Sequence, residues 1–448
     1  MEKNNSKKDS KISRRDFIGS AAAAGAFTVV PRYVLGGSGH TPPSEKLNIA
    51  GVGVGGQGGG DIRAVSGENN IIALCDVDSR QAARTFRRYP QAKKYTDFRV
   101  MLEKQKDIDA VVVATPDHNH AIISITAMKM GKHVYCEKPL THSIYEAREM
   151  AKIAKQYKVA TQMGNAGQAS EDTRIMAEYI MADALGQVRE VHVWTDRPVG
   201  WWSQGIERPK ETPAVPDTLD WDLFIGPAPY RPYNPAYHPF AWRGWWDFGT
   251  GALGDMGCHA FDPIFRALKL GYPTSVHATC TPVNKETFPL ASTVHYQFPS
   301  REGMAPVKLT WYDGGIKPRR PDQLEDNRKW GNGGTLFVGD KGSMLGYKLI
   351  PESRRIEFGK PPQKLPRSIG HFKEWTEACK GGEPAGANFE FASLVTEVVL
   401  LGNIALRPEL RDKLTNTTLQ RDGTNMEIAN LPEANEFLHT EYRSGWTL

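Results

Sequence analysis

The stretch Leu47-Asn48-Ile49-Ala50-Gly51-Val52-Gly53-Val54-Gly55-Gly56-Gln57-Gly58 decides the reading of the first half of the chain. Leu47–Val54 is a short apolar run that reads as a buried strand. It runs into Gly53, Gly55 and Gly58, spaced as GxGxxG, and Gly59–Val65 can continue as a helix. In such a turn the first glycine permits the tight bend, the second lets the backbone approach a pyrophosphate, and the third brings helix and strand together. The phosphates then rest on the helix N-terminus, beside Gly56 and Gln57. Gly51, Gly53 and Gly56 fit the same spacing, and a glycine-rich turn alone is weak evidence. The next apolar run supplies the rest. Ile71–Cys75 ends in Asp76-Val77-Asp78, about 20 residues beyond the glycines, where a carboxylate accepts from ribose hydroxyls and repels a 2′-phosphate. The expected cofactor is therefore NAD, with NADP left open by Arg80.

Outward from this unit, strands and helices alternate. A helix over Ser79–Arg88 precedes a strand, Ala110–Ala114, that ends in Thr115-Pro116-Asp117-His118-Asn119-His120. A helix over Ala121–Met130 stops at Gly131, and the strand His133–Cys136 ends in Glu137-Lys138-Pro139-Leu140. Polar residues cluster where each strand ends, which is where open α/β sheets bind ligands. The fold class expected is α/β: an N-terminal doubly wound parallel Rossmann sheet over 45–162, then an α+β domain over 163–448. The second domain is read from a helix near Ser170–Ala184 and from alternating runs at Val188–Thr195, Ser275–Thr281, Ser292–Phe298, Val307–Trp311 and Thr335–Val338. Period-2 alternation implies an open, largely antiparallel sheet, and Gly339-Asp340-Lys341-Gly342 reads as a hairpin turn.

The chain of 448 residues carries a net charge of +5. Residues 1–35 contribute seven basic and three acidic residues, a net of +4, so the remainder carries only +1 and offers no electrostatic footprint for nucleic acid. The basic start, Ser13-Arg14-Arg15-Asp16-Phe17-Ile18 and the small apolar run to Val30 read as a twin-arginine export signal over 1–35, followed by a linker over 36–44. The expected partner is the twin-arginine export machinery and the expected location periplasmic, with a membrane tether if the signal is not cleaved. The five cysteines show no CxxC, and Asp117, His118 and His120 on one short loop are too few for a metal site; none is expected.

The second half supplies candidate chemistry. Residues 196–246 are rich in proline and aromatics, and Asp255 and His259 then fall four apart on a helical stretch, on one face. Oxidising an alcohol by hydride transfer needs a base for the hydroxyl proton, for which histidine is suited, and a cation beside the developing alkoxide. Trp201, Trp202, Trp245 and Trp246 read either as walls of a sugar subsite or as core, and Arg197 and Arg243 as contacts for a hydroxyl or carboxylate.

The GVGGQG turn, the ALCDVD and ATPDHNHA segments and above all Cys136-Glu137-Lys138-Pro139-Leu140 resemble the Gfo/Idh/MocA oxidoreductases over nearly the whole chain after the export segment. The resemblance implies hydride transfer between a nicotinamide and a hydroxyl of a sugar, glycoside or cyclitol. Lys138 would polarise the substrate oxygen, His259 would act as general base, and Asp255 would bind a neighbouring hydroxyl or tune the histidine. Thr115, Pro116, His118, His120, Glu137, Lys138 and Asn165 would contact the cofactor. It further implies a homo-oligomer and, for an exported member, a tightly held cofactor recycled by a second carbonyl substrate. Some exported relatives are glycosidases that oxidise transiently and eliminate; they carry Tyr-x-x-His where this chain has Gly-Asp-Met-Gly-Cys-His. A non-catalytic sugar binder is the third reading, against which Lys138, Asp255 and His259 stand together.

Overall fold

The structure, a computed structural model, describes residues 45–414 and 417–448; the export segment and linker read from the sequence lie outside them. Six parallel strands make the first sheet: β1 (Asn48–Val52), β2 (Asn70–Cys75), β3 (Lys93–Tyr95), β4 (Ala110–Val113), β5 (His133–Cys136) and β6 (Thr161–Met163), in spatial order β3-β2-β1-β4-β5-β6. The central strand β4 is Ala-Val-Val-Val and wholly buried, as expected where helices cover both faces. The order reverses between β1 and β4, so a crevice opens at their carboxyl ends.

The helices begin where the sequence provides caps. The helix α1 (Gly56–Val65) follows the glycine turn, and α2 (Ser79–Arg88) starts under the Asp78 carboxylate, which accepts from the Arg80 amide. Then α3 (His120–Lys129) and α4 (Ile144–Tyr157) follow; α4 opens with a reciprocal Ser143/Glu146 capping box.

After α5 (Glu171–Met181) a nine-stranded sheet forms from β7 (Val188–Trp194), β8 (Ser275–Cys280), β9 (Ser292–Phe298), β10 (Val307–Tyr312), β11 (Gly334–Gly339), β12 (Ser343–Leu345), β13 (Lys348–Ile350), β14 (Leu419–Asp422) and β15 (Glu427–Ile428). Its order is β13-β12-β11-β7-β10-β9-β8-β14-β15, antiparallel except for the β7–β10 pair. Val191, Val193, Val294, Tyr296, Leu309 and Trp311 form its buried face. The long helix α6 (Gly251–Leu268) lies on that face, with Phe261 edge-on to Tyr296 and Trp311 and Phe265 against Phe298. Alternate residues, including Glu190, His192, Lys308, His277, His295 and Gln297, form the opposite, polar face.

The two sheets are not separate modules. The helix α7 (Phe389–Ala405) packs on both α4 and α6, and Trp375 and Ala385, late in the sequence, sit in the same core cluster as Ile49, Ile62 and Val112 of the first sheet. The division at residue 162 read from the sequence falls inside β6, and segments beyond residue 370 complete the covering of the first sheet.

Candidate functional site

The glycine turn has the geometry of a phosphate cradle. Gly53 takes φ +76°, and a β-carbon there would stand 2.7 Å from the Ala114 carbonyl oxygen; at Gly58 it would stand 2.0 Å from the Gly53 carbonyl oxygen. Gly58 therefore provides the close helix–strand approach, and the first of the two spacings, Gly53/Gly55/Gly58, is the one the fold uses. Asp76 locks the turn in place: one carboxylate oxygen accepts from the amides of Val54 (2.9 Å) and Gly55 (3.0 Å), the other from Asp78. The group expected at the ribose thus also holds the loop, and Oδ1, which accepts one bond, keeps a further lone pair. Burial pushes this carboxyl up to about 6 against those three amides.

The carboxyl end of β5 carries Lys138 to α6. Lys138 Nζ lies 2.8 Å from Asp255 Oδ1 and 3.1 Å from the Asp255 carbonyl oxygen. Arg197 Nη1 meets Asp255 Oδ2 at 2.9 Å, and Arg243 Nε approaches Oδ1 at 3.4 Å. Burial alone would raise the Asp255 carboxyl, but Lys138, Arg243 and Arg197 overcome it and hold it below the usual range. Asp255 and His259 are one turn apart on α6, and His259 shares the field of Lys138, Asp255 and Arg197. Burial, then the Lys138 charge, pushes it down to about 4, so the ring is neutral at neutral pH. Thr250, just ahead of α6, donates to the buried Asp117 at 2.6 Å; burial raises Asp117 to about 7 in spite of that bond and of Lys138 and Arg243.

The residues expected at the cofactor divide into two groups. The Thr115 hydroxyl and Asn165 Oδ1 are buried with no hydrogen-bond partner among the described residues, while the Asn165 amide is anchored to the Cys258 carbonyl and to Asp262. Two orphaned polar atoms, a glycine cradle and an open helix N-terminus fit an extended dinucleotide along the crevice. Glu137 is buried beside Gly164, whose missing β-carbon leaves room for its carboxylate, and it accepts from the Lys138 amide. His120 and His118 serve the scaffold. The ring nitrogens of His120 lie 2.8 Å from the carbonyl oxygens of Thr115 and Pro139, and Pro116 accepts from Asn119. His118 is enclosed by Phe224 and Phe248 with its nitrogens on their carbonyls. Both ring nitrogens of His118 are thereby spent on the backbone.

The aromatic block, residues 196–250, is a folded excursion with a core of its own around Trp221, Phe224, Tyr237, Trp245 and Phe248. Trp245 has no exposed surface and its indole donates to Ala236, so no face is left for a sugar. Trp246 packs on Phe288 and Trp202 donates to Gln204; both are buried. Of the four tryptophans named from the sequence, only Trp201 is open, 51% exposed, with the Arg197 guanidinium 3.6 Å from its ring centre.

The excursion also does something the sequence did not announce. Its segment Asp217–Asp220 lies across the ends of β2 and β3: Ser79 donates to the Thr218 carbonyl, Asp220 to the Val77 carbonyl, and His238 pins Asp78 at 2.9 Å. Together with Asp76, Ser79, Phe86, Lys94, Tyr95 and Thr96, this segment encloses a cleft of about 480 Å³ on the adenosine side of the glycine turn. The contact joins residues some 140 positions apart, and no local pattern marks it.

Residues 46–165 match a family model described as an oxidoreductase family, NAD-binding Rossmann fold (GFO_IDH_MocA), and residues 174–299 match that family's C-terminal alpha/beta domain. Among curated proteins, levoglucosan dehydrogenase of Pseudarthrobacter phenanthrenivorans is 26% identical over 190 residues, 42% of this chain and 40% of that protein. A glycosyl hydrolase family 109 protein of Solibacter usitatus is 32% identical over 164 residues, 32% of this chain and 37% of that protein. The chain thus spans well under half the length of these relatives. Among solved structures, the WlbA dehydrogenase of Bordetella pertussis, in complex with NADH and UDP-GlcNAcA, superposes with a TM-score of 0.56 at 17% identity, covering 81% of this chain and 97% of that one; the likeness is one of fold.

Proposed function

The chain belongs to the Gfo/Idh/MocA oxidoreductases, and from that premise we propose that it oxidises a hydroxyl of a sugar, glycoside or cyclitol with NAD as hydride acceptor. The observation that carries the reading is the meeting of Lys138 and Asp255 at 2.8 Å, with His259 one turn further along α6. The nicotinamide, when bound, supplies the hydride acceptor; Gly53, Gly55, Gly56, Gln57, Gly58 and Asp76 would hold the phosphates and adenosine ribose, and Thr115 and Asn165 the other end.

The chain's own groups then divide the work. The Lys138 ammonium sits against the substrate oxygen and stabilises charge as it builds there. The neutral His259 ring receives the hydroxyl proton as the carbon gives up its hydride, and Asp255, held by Lys138 and two guanidiniums, steadies both groups. Asp76, with Asp217 and Asp220 across the cleft, makes the adenosine end acidic, which favours NAD over NADP. The Asp217–Asp220 roof also supports a cofactor that is retained between turnovers. That retention suits export by the twin-arginine route, where cytoplasmic NAD is out of reach and a second carbonyl substrate would regenerate the cofactor. We place the protein in the periplasm on the strength of Arg14-Arg15 and the apolar run that follows, and as a homo-oligomer paired through the polar face of the nine-stranded sheet.

One observation favours a second reading, a glycosidase that oxidises transiently and then eliminates: the stretch shared with the Solibacter usitatus protein. Incubating the NAD-loaded protein with p-nitrophenyl glycosides separates the two. A keto-sugar formed with absorbance near ~340 nm supports the oxidoreductase; p-nitrophenol released without net reduced cofactor supports the glycosidase.

A further inference from the structure

Three cations converge on the single carboxylate of Asp255: Lys138 and Arg197 within 2.9 Å and Arg243 at 3.4 Å. The cluster therefore carries two more positive charges than negative ones, in a place where these side chains are only 15–21% exposed. The other ionisable groups facing it do not make up the difference. His259 is neutral, Asp117 is raised to about 7 and spent on Thr250, and Glu137 is raised by burial and turned toward Gly164. Nor are the guanidiniums saturated. Arg197 Nε and Nη2 and Arg243 Nη2 have no hydrogen-bond partner among the described residues, whereas Arg243 Nη1 is spent on the Phe240 carbonyl. Both guanidiniums lie over rings: Arg197 over Trp201 at 3.6 Å, Arg243 over Trp242 at 4.2 Å and over Phe240 at 4.4 Å. Two guanidiniums with free donors, sharing one carboxylate with a third cation, form a receptor for a further anion. Their planar donors match the geometry of a carboxylate.

We propose that the substrate is a carbohydrate bearing a carboxylate, a uronic acid or its glycoside, whose acid group is received by Arg197 and Arg243 while Lys138 and His259 address a neighbouring hydroxyl. The proposal rests on the oxidoreductase reading for the role of the site, but not for the binding itself. A ligand carboxylate here compensates charge that Asp255 alone leaves unmatched; a neutral sugar would leave that excess in place.

The test is calorimetric, on the NAD-loaded full chain, with methyl β-D-glucuronide, methyl β-D-glucoside and glucose 6-sulfate as probes. The glucuronide should bind at least tenfold more tightly than the glucoside, with the difference shrinking as salt is raised. Arg243→Gln and Arg197→Gln should each erase most of that preference, and Arg197→Lys, which keeps the charge and loses the fork, should retain only part of it. Equal affinity for glucuronide and glucoside, or no binding of any probe, overturns the proposal, and tighter binding of the sulfate overturns the carboxylate assignment. Preferential glucuronide binding with no reduced cofactor from any sugar supports the proposal and overturns the oxidoreductase reading instead.

Discussion

Gly58→Ala is the substitution whose outcome the structure fixes most closely. A β-carbon at this position stands 2.0 Å from the Gly53 carbonyl oxygen and 3.0 Å from Ala114 Cβ. Ordinary contact begins near 3.4 Å, so α1 must lift from β1 and β4 by 3.4 − 2.0 = 1.4 Å, and the obstacle is backbone that cannot rotate aside. Overpacking of this kind costs ~1–3 kcal/mol. Alanine recovers ~1 kcal/mol of helix propensity, which leaves a net loss of about 0–2 kcal/mol and a melting temperature lower by a few degrees at most. The effect on nucleotide is larger, because the amides at the start of α1 move away from the phosphates. NADH affinity, read by fluorescence titration, should fall at least 30-fold. Gly60→Ala lies two residues on in the same helix, where a β-carbon meets nothing within 4 Å. It should bind NADH normally and melt slightly higher, by the ~0.5–1 kcal/mol that a helical glycine forfeits. If Gly58→Ala binds within threefold of the wild type, or if Gly60→Ala is equally damaging, the close approach of helix and turn is not what the cradle depends on.

Other outcomes follow from the same geometry. Lys138→Met should lower turnover ~10²–10³-fold with NADH binding intact; because Arg197 and Arg243 still compensate Asp255, chemical unfolding should show a loss below ~2 kcal/mol. His259→Asn should cost ~10²–10⁴-fold. In the wild type, a base pushed down to about 4 is protonated and idle below that pH, so kcat/KM should be flat from pH 6 to 8 and fall as pH drops toward 4. Asp313 is fully buried, accepts from Trp311 and Ser292, and is raised by burial to about 7. Its folded form holds a proton more tightly than the unfolded chain, so its contribution to stability is present at low pH and lost as pH rises from about 4 through 7. Asp313→Asn should flatten the decline in urea midpoint between pH 5 and 8. His238→Ala removes the pin on Asp78 and should speed NADH release about tenfold in stopped-flow displacement, with little change in melting temperature.

Most of the first sheet was legible because its central strands announce themselves twice, by an apolar run and by the polar cluster at the end; GxGxxG, Asp76 and Glu137-Lys138 each follow the carboxyl end of such a strand. Asp255 and His259 were legible because a period of four on a helix is local. What escaped was long-range. Nothing near Pro216 signals that Asp217–Asp220 will cover β2, since the pairing of Ser79 with Thr218 is made by the folding of an irregular excursion. The surroundings of His118 were hidden for the same reason: Phe224 and Phe248 arrive from more than a hundred residues away and enclose it. Tryptophans could be counted but not sorted, because composition does not say which ring the excursion's own core will consume; Trp245 was consumed and Trp201 was left open. The convergence of Arg197 and Arg243 on one carboxylate was likewise hidden, since they approach it from different segments.

The measurement that bears most directly on the function is the absorbance near ~340 nm of NAD-loaded protein mixed with a panel of glycosides, glycuronides and cyclitols, run beside Lys138→Met and His259→Asn loaded with the same nucleotide. Hydride transfer at the Lys138–Asp255–His259 cluster requires the band to rise with at least one sugar in the wild type and to stay flat in both variants, which still bind NADH. A band that rises equally in the variants, or a wild-type protein that binds no nicotinamide nucleotide at all, would contradict it.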